Sequence, residues 1–474
     1  MKFEELVIVD VLSASGNHTV ALGLSSGTYP PITAPSLSPI LDETRLPTFS
    51  PTLGSSNQGS VIPTLSTIAP TVSSTSNPTT ASSVLPTVPG SSVQGDMHYW
   101  GASGSLGKTP PDVILSPLSS GIIAASITAG SKYSILVYPN GTASSAGFIE
   151  SVDDYHGHLG QRGDEITTGE NPFRPISSVY NAEEDLIIDA PFFVRAFAGV
   201  SQLSSPGLIH TILIDDEGQA WATGSNNRGQ LCLGDFDDRL VPERIPLDGK
   251  VESAAIGSAH SLLLLEDGTV FGCGSNDAGQ LGLDAIGETE TPTLLEGIPI
   301  VQSLSAGFDY SLFKGSDGLY VTGNNLYGQL CVNETIGENV TTPYLISDVD
   351  VSIVSSFDAI RSSSYISFND GSVGACGRNN FGQLGDGTNN DRVRTVLEPL
   401  PDKSPIRNVY GGPSSESVFF VSDSGATYAT GLNDKAQLGV GDQLNRNVLT
   451  LVEFGEVALV PTQISASGDH TLSV

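Results

Sequence analysis

The chain has 474 residues, enough for a large core or several domains. Its formal net charge is -32, from 20 Lys and Arg against 52 Asp and Glu. That balance argues against nucleic acid or an anionic membrane as the main partner, because phosphate recognition draws on clustered cations. No run approaches the ~18 apolar residues needed to span a bilayer; the longest aliphatic cluster, Leu262–Leu265, is strand-sized and meets Glu266 at once.

In chain order, the opening MKFEELVIVD lacks a basic segment followed by a sustained apolar stretch, so no secretory leader is expected. SASGNHTVAL (13–22) reads as the opening of a structural unit. Residues 25–96 are rich in Ser, Thr and Pro, carry little that is large and apolar, and are expected to form a disordered insertion. HYWGASGSLG (98–107) supplies the second half of that first unit. ITAGSKYSILVYPNGTASSAG (127–147) opens another, and GHLG (157–160) closes its motif after an insertion.

From there the pattern sharpens. GSNNRGQL (224–231), GSNDAGQL (274–281), GNNLYGQL (323–330), GRNNFGQL (377–384) and GLNDKAQL (431–438) share one spacing, with a single slip from Gly to Ala at Ala436. A turn glycine precedes each copy, at Gly218, Gly268, Gly318, Gly371 and Gly425; Asp-Gly or Asn-Gly there predicts a type I′ hairpin. Eight residues before these glycines stand His210, His260, Tyr310, Ser363 and Ser417. Each unit therefore reads as strand, hairpin, strand, glycine turn, Gln-Leu step and polar loop, repeated every ~50–60 residues, which is a propeller-blade length. The units lie near 9–24 with 97–117, 122–190, 192–248, 251–297, 300–347, 352–401 and 406–453. A partial unit at 462–474 contains SASGDHTLSV, nearly a duplicate of 13–22. It is either the overlap that closes a ring or the start of a further blade.

GCGSNDAGQLGL (272–283) superficially suggests a phosphate loop. A dinucleotide fingerprint needs its third glycine where Asp277 stands, and a carboxylate there repels a pyrophosphate. It reads as a structural turn. Asn is expected to bond its own backbone, Gln to satisfy groups of the next blade, and Leu231, Leu281, Leu330, Leu384 and Leu438 to fill the space between blades.

The combination AGxxHSLxLxxDGxVxxxGxNxxGQLG resembles the repeat of the regulator of chromosome condensation family, strongly over 192–452 and more weakly over 1–24 and 97–191. The resemblance implies an all-β, seven-bladed β-propeller. Its members include an exchange factor for the small GTPase Ran, inhibitors of β-lactamases, photoreceptors, and modules within ubiquitin ligases and kinases. Fold does not fix which of these applies. With Trp only at Trp100 and Trp221, the tryptophan-dense interface of the photoreceptor members is absent. A basic chromatin-binding tail is not expected either, since the residues before the first unit are MKFEELV.

No catalytic residue, cofactor site or metal site is assigned. His18, His210, His260 and His470 share one repeat position and read as structural. VDDYHGHLG (152–160) is one loop without a second ligand cluster, and DFDD (235–238) lacks the glycine and terminal Glu of a calcium loop. Cys232 and Cys331 follow a Gln-Leu pair, while Cys273 and Cys376 precede a motif glycine. Equivalent positions in different blades lie far apart, so all four are expected as buried, reduced thiols in a cytosolic or nuclear protein. The N-x-T sequons at Asn17, Asn140, Asn333 and Asn339 matter only in a secretory protein. The expected function is a non-catalytic protein-interaction scaffold, with the variable segments 108–121, 161–191, 235–248, 284–295, 332–347 and 386–405 as the partner surface. Guanine-nucleotide exchange on a small GTPase is the alternative, and a secreted or surface binding or inhibitor protein the third.

Overall fold

The computed structural model describes residues 95–102, 113–149, 157, 159–161, 169–182, 186–199, 209–332, 336–397, 400, 402–454 and 461–474. They form a seven-bladed all-β propeller, numbered here as blades 1–7 with strands a to d from the axis outward. Blade 2 comprises Ser126–Gly130, Tyr133–Val137, Ala143–Ile149 and Gly169–Pro175. Blade 3 comprises Phe193–Ala198, His210–Asp215, Ala220–Gly224 and Arg239–Arg244. Blades 4 and 5 run Val251–Ile256, His260–Leu265, Val270–Ser275, Glu288–Leu294 and Val301–Ala306, Tyr310–Gly315, Leu319–Asn324, Asn339–Leu345. Blades 6 and 7 run Val354–Ile360, Ser363–Phe368, Val373–Gly377, Arg392–Val396 and Ile406–Tyr410, Ser417–Ser422, Thr427–Gly431, Arg446–Leu451. Neighbouring strands within each of these blades pair antiparallel. Each a strand touches the next around the axis, and the ring closes where Ile464–Ala466 meets Ser126–Gly130.

That closure joins the two ends of the repeat array. Blade 1 takes strands a and b from Ile464–Ala466 and His470–Ser473, and strands c and d from Gly95–Ala102 and Val113–Ala124. The place expected for 13–22 is thus filled by the near-duplicate 465–474. Residues 13–22 lie outside the described residues, as does the expected insertion 25–96 except for Gly95 and Asp96 at the start of a strand. Blade 3 is larger than its sequence pattern suggests. Ser178–Asn181 and Leu186–Asp189 form a hairpin that adds to its outer edge, with Tyr180 parallel to Glu243.

Burial explains the recurrence of the motif. Leu231 is fully buried in a cluster that also holds Val251, Ala254, Ile256 and Leu263 of the next blade, and the other four Gln-Leu leucines are equally buried. Truncating one such side chain to Ala costs about 2–5 kcal/mol. The N-x-x-G turn also approaches the next blade closely: a Cβ at Gly279 (φ 83°) meets Thr341 Cα at 2.6 Å and the Val340 carbonyl at 2.7 Å. Ala436 holds the same left-handed conformation, φ 60°, and is the one copy that bears the steric cost.

Two sequence expectations are corrected. The hairpins are not type I′. Gly218, Gly268, Gly371 and Gly425 adopt φ between 80° and 85°, but the residues before them do not enter the left-handed region. Each glycine N–H instead donates to the carbonyl three residues back, as Gly218 does to Asp215 at 3.1 Å. These are turns closed by a glycine bulge.

The cysteines are not free thiols. Cys232 is bonded to Cys273 and Cys331 to Cys376, each with a Cα–Cα distance of 5.4 Å, and none of the described cysteines is free. The reading from equivalent positions compared the wrong pairs. The step after Gln-Leu in one blade packs on strand c of the next, so a cysteine after the leucine faces a cysteine before the following motif glycine. Cys232 and Cys331 take left-handed conformations, φ 60° and 57°, where Gly282, Gly385 and Gly439 stand in other copies.

Candidate interaction face

Strand alternation sends the a–b turns and the c–d loops to one face of the propeller, and the b–c hairpins and d–a connections to the other. On the first face the c–d loops are pinned from within. Asn226, Asn276, Asn325, Asn379 and Asn433 each accept, at Oδ1, the N–H of the leucine five residues on, at 2.8–2.9 Å. Their Nδ2 groups donate across the loop, for example to Asp235, Ala285 and Asp442 carbonyls. Each Gln Oε1 accepts the N–H two residues earlier at 2.8–3.0 Å. The side chain of Gln therefore serves mainly its own loop. Its backbone carbonyl serves the neighbour: the hydroxyls of Ser261, Ser311, Ser364, Thr430 and Thr471 donate to Gln230, Gln280, Gln329, Gln383 and Gln437 at 2.6–2.9 Å.

On these fixed loops stand large apolar side chains in solvent: Phe236 at 46% exposure, Ile286 at 70%, Leu326 at 56%, Ile336 at 43% and Leu444 at 66%. Arginine and aromatic groups lie among them. Arg228 pairs with Asp277 and Glu288 of the next blade's loop, and the Arg378 guanidinium lies over the Tyr327 ring at 5.2 Å. Exposed carboxylates stand on both faces, on this one at Asp237, Asp277, Asp284 and Asp434 among others, and on the opposite one at the hairpins and d–a connections. Asp216, Glu217, Glu266, Asp267, Asp317, Asp370 and Asp423 are exposed at its hairpin tips, and Asp248, Glu296, Asp348, Asp350 and Asp402 on its d–a connections. Exposed lysines there are Lys250 and Lys403.

On the loop face, neighbouring a–b turns are bonded to one another from blade to blade. Ser258 N–H donates to the Phe308 carbonyl and Phe308 N–H to the Arg361 carbonyl, at 2.9 and 2.8 Å. Glu416, almost fully buried, is held between Arg361 at 3.2 Å and Arg378 at 3.4 Å, and accepts from Gln383 Nε2 at 2.6 Å. Burial pushes its carboxyl above the usual range, although both arginines and Gln383 pull it back. The Arg361 side chain also covers the Phe308 ring at 5.4 Å. No sequence motif marked this cluster; its members come from three blades.

The histidines join blades. His210 Nε2 lies 2.9 Å from Ser261 Oγ, and His260 Nε2 lies 3.1 Å from Ser311 Oγ. Both serines donate their hydroxyl proton to a Gln carbonyl, so each imidazole donates from Nε2. Burial, with a smaller contribution from His210, lowers the His260 pKa to about 3. His470 Nε2 lies 2.9 Å from Ser134 Oγ and its Nδ1 2.8 Å from the Asp469 carboxylate, while His18 lies outside the described residues. Trp100 and Trp221 are both buried, bonded to the Gln437 carbonyl and the Asp215 carboxylate. In DFDD, Asp235 pairs with Arg239 at 2.6 Å and Asp238 accepts the Asn226 N–H at 2.7 Å, so this loop binds its own groups. Most of 152–160 lies outside the described residues. GCGSNDAGQLGL (272–283) leaves strand c through a pinned turn into the c–d loop. Of the variable segments expected to form one partner surface, 235–248, 332–347 and 386–405 start in c–d loops, follow strand d and end in d–a connections; they therefore span both faces.

A family model described as the regulator of chromosome condensation (RCC1) repeat matches residues 217–264 and 267–313, and a second of the same description matches 251–280. The Ultraviolet-B receptor UVR8 of Arabidopsis thaliana is 29% identical over 377 residues, covering 78% of this chain and 67% of the receptor. Among solved structures, human WBSCR16 aligns at TM-score 0.64 and 19% identity, over 80% of this chain and 99% of that one. Prp20p of Saccharomyces cerevisiae, described with its binding properties to Gsp1p and histones, aligns at TM-score 0.62 and 20% identity, over 80% and 90%. Both structural likenesses concern the fold.

Proposed function

Because this chain carries regulator of chromosome condensation repeats on a seven-bladed propeller, we propose that it is a non-catalytic scaffold for protein–protein interaction whose partner docks on the c–d loop face. One observation carries the reading: Phe236, Ile286, Leu326 and Leu444 stand exposed on loops that Asn and Gln side chains brace with hydrogen bonds. Apolar anchors with nearby arginine and aromatic groups are the composition of energetically dominant interface residues. Loops ordered before binding lose little conformational entropy on association, so more of the contact energy appears as affinity. The exposed carboxylates of the opposite face supply long-range attraction for basic surfaces and raise encounter rates more than affinity.

The test compares two surface variants of equal substitution load. Changing Ile286, Leu326 and Leu444 to Asp is expected to lower recovery of the protein's own partner at least tenfold. Changing Glu217, Asp267 and Asp370 to Lys is expected to change mainly the salt dependence of recovery. The reverse pattern overturns the reading. Nucleotide exchange on a small GTPase, the alternative from sequence, predicts accelerated nucleotide release from at least one member of a GTPase panel; acceleration there overturns the plain scaffold. The buried disulfides weigh against that alternative, since cytosolic proteins rarely keep such bonds.

A further inference from the structure

Both disulfides join consecutive blades, blade 3 to blade 4 and blade 5 to blade 6, and all four cysteines are buried. Their burial removes them from exchange with solvent thiols, which makes them structural bonds rather than catalytic ones. Structural bonds of this kind form where thiols are oxidised during folding, and cytosolic reductants keep thiols reduced. Each needs a disulfide-bearing oxidoreductase: the two thiols lose two protons and two electrons, the S–S bond forms, and the oxidoreductase disulfide becomes a dithiol. With the four thiols paired, the ground for a reduced cytosolic setting is gone.

An unrelated feature points the same way. Asn140-Gly141-Thr142 lies at the tip of the b–c hairpin of blade 2, and Asn339-Val340-Thr341 opens strand d of blade 5. Both asparagines are exposed. Asn140 Oδ1 accepts the Thr142 N–H at 3.1 Å, a contact that uses the amide oxygen and not the nitrogen. We propose that Asn140 and Asn339 are N-glycan attachment sites on a chain that folds in an oxidising compartment. The sequon is the acceptor pattern for such transfer, and it belongs on surface segments of secreted proteins. The donor is a lipid pyrophosphate-linked oligosaccharide. A bond forms between Asn Nδ2 and the anomeric carbon, the anomeric carbon–phosphate oxygen bond breaks, and the Nδ2 proton leaves with the lipid pyrophosphate. Neither position requires core side chains to move. The sequons at Asn17 and Asn333 lie outside the described residues. The proposal does not rest on the interaction reading.

The experiment uses the protein purified from its own cells, so that any targeting segment ahead of residue 1 has acted. Thiols are alkylated during lysis, and the protein is digested without reduction. The expected map contains peptides linked through Cys232–Cys273 and Cys331–Cys376 and no alkylated cysteine. Treatment with peptide N-glycosidase in heavy-oxygen water is expected to remove two glycan masses and convert Asn140 and Asn339 to labelled aspartate. Thr142→Ala, expressed in the same cells, is expected to lose the label at Asn140 alone while both linked peptides persist. Four alkylated cysteines overturn the compartment. Linked cysteines with bare Asn140 and Asn339 overturn the attachment sites.

Discussion

Removing the bridge between blades 3 and 4 should lower stability by an amount that the structure allows to be worked out. Cys232 and Cys273 are separated by 41 residues, and Cys331 and Cys376 by 45. Closing loops of that size in the unfolded chain removes entropy equivalent to about 4 kcal/mol per bridge at 25 °C. A variant that carries Cys232→Gly with Cys273→Ala recovers part of this. Cys232 sits at φ 60°, where Gly282, Gly385 and Gly439 stand in other blades, and relieving that conformation returns about 1 kcal/mol. The net loss is then ~3 kcal/mol. Described strands run from Gly95 to Ser473; at about 2.1 cal/mol/K per residue, ~380 residues unfolding together have an entropy near 0.8 kcal/mol/K. The expected fall in melting temperature is about 4 °C for one bridge and about 8 °C for both. Differential scanning calorimetry of the variants reads it directly. Variants are better probes than added reductant, because the buried sulfurs are reached only once the blades open. A melting temperature that stays put in the double-bridge variant refutes the claim that these bonds join blades in the folded protein.

Three further outcomes follow from the same geometry. His260 is neutral and fully buried, with its pKa lowered to about 3, whereas the unfolded chain protonates it near 6.5. The unfolded state then binds the extra proton, so this group's contribution to stability is intact above pH 6.5 and falls by ~1.4 kcal/mol per unit as pH drops toward 3. His260→Tyr, the residue at this position in blades 2 and 5, is expected to flatten that slope in urea titrations across pH. Burial pushes the Asp386 carboxyl up, but hydrogen bonds from Arg392, Thr388 and Asn379 outweigh it and hold the pKa below the ordinary value. Its contribution is present above about pH 4 and lost as pH falls through the folded pKa; Asp386→Asn should shallow the acid limb of the same titration. Ala436→Gly should raise stability by up to about 1 kcal/mol by relieving its left-handed backbone. Gly279→Ala should lower it by more than that, since its Cβ meets the Thr341 backbone at 2.6 Å; chemical denaturation of the two variants gives opposite signs.

The repeat is legible in sequence because it is local. Asn, Gly, Gln and Leu act within one eight-residue turn or against the next copy of themselves, so spacing alone reveals both the blade and its period. The histidines could be read as structural for the same reason. Relations between non-equivalent positions of successive repeats were hidden. The disulfides belong to that class, and their one trace was a cysteine at 232 and 331 where the other strong copies carry a glycine. The Arg361–Glu416–Arg378 cluster has no spacing signature, because only packing brings together the a–b turns of blades 6 and 7 and the start of the blade 6 c–d loop. The hairpin glycines were found correctly but assigned the wrong turn, since an Asp-Gly pair suits a type I′ turn and a glycine bulge alike. Variable segments looked like one surface because chain order does not show that strand d carries each of them from one face to the other.

Lysine cross-linking of the protein with its partner, read by mass spectrometry in its own cells, bears most directly on the interaction claim. The lysines divide the faces: Lys132 and Lys435 belong to the a–b turns and c–d loops, while Lys250 and Lys403 lie among the acidic hairpins and connections. Docking on the c–d loop face predicts intermolecular links at Lys435 and Lys132. Links confined to Lys250 and Lys403 would contradict it.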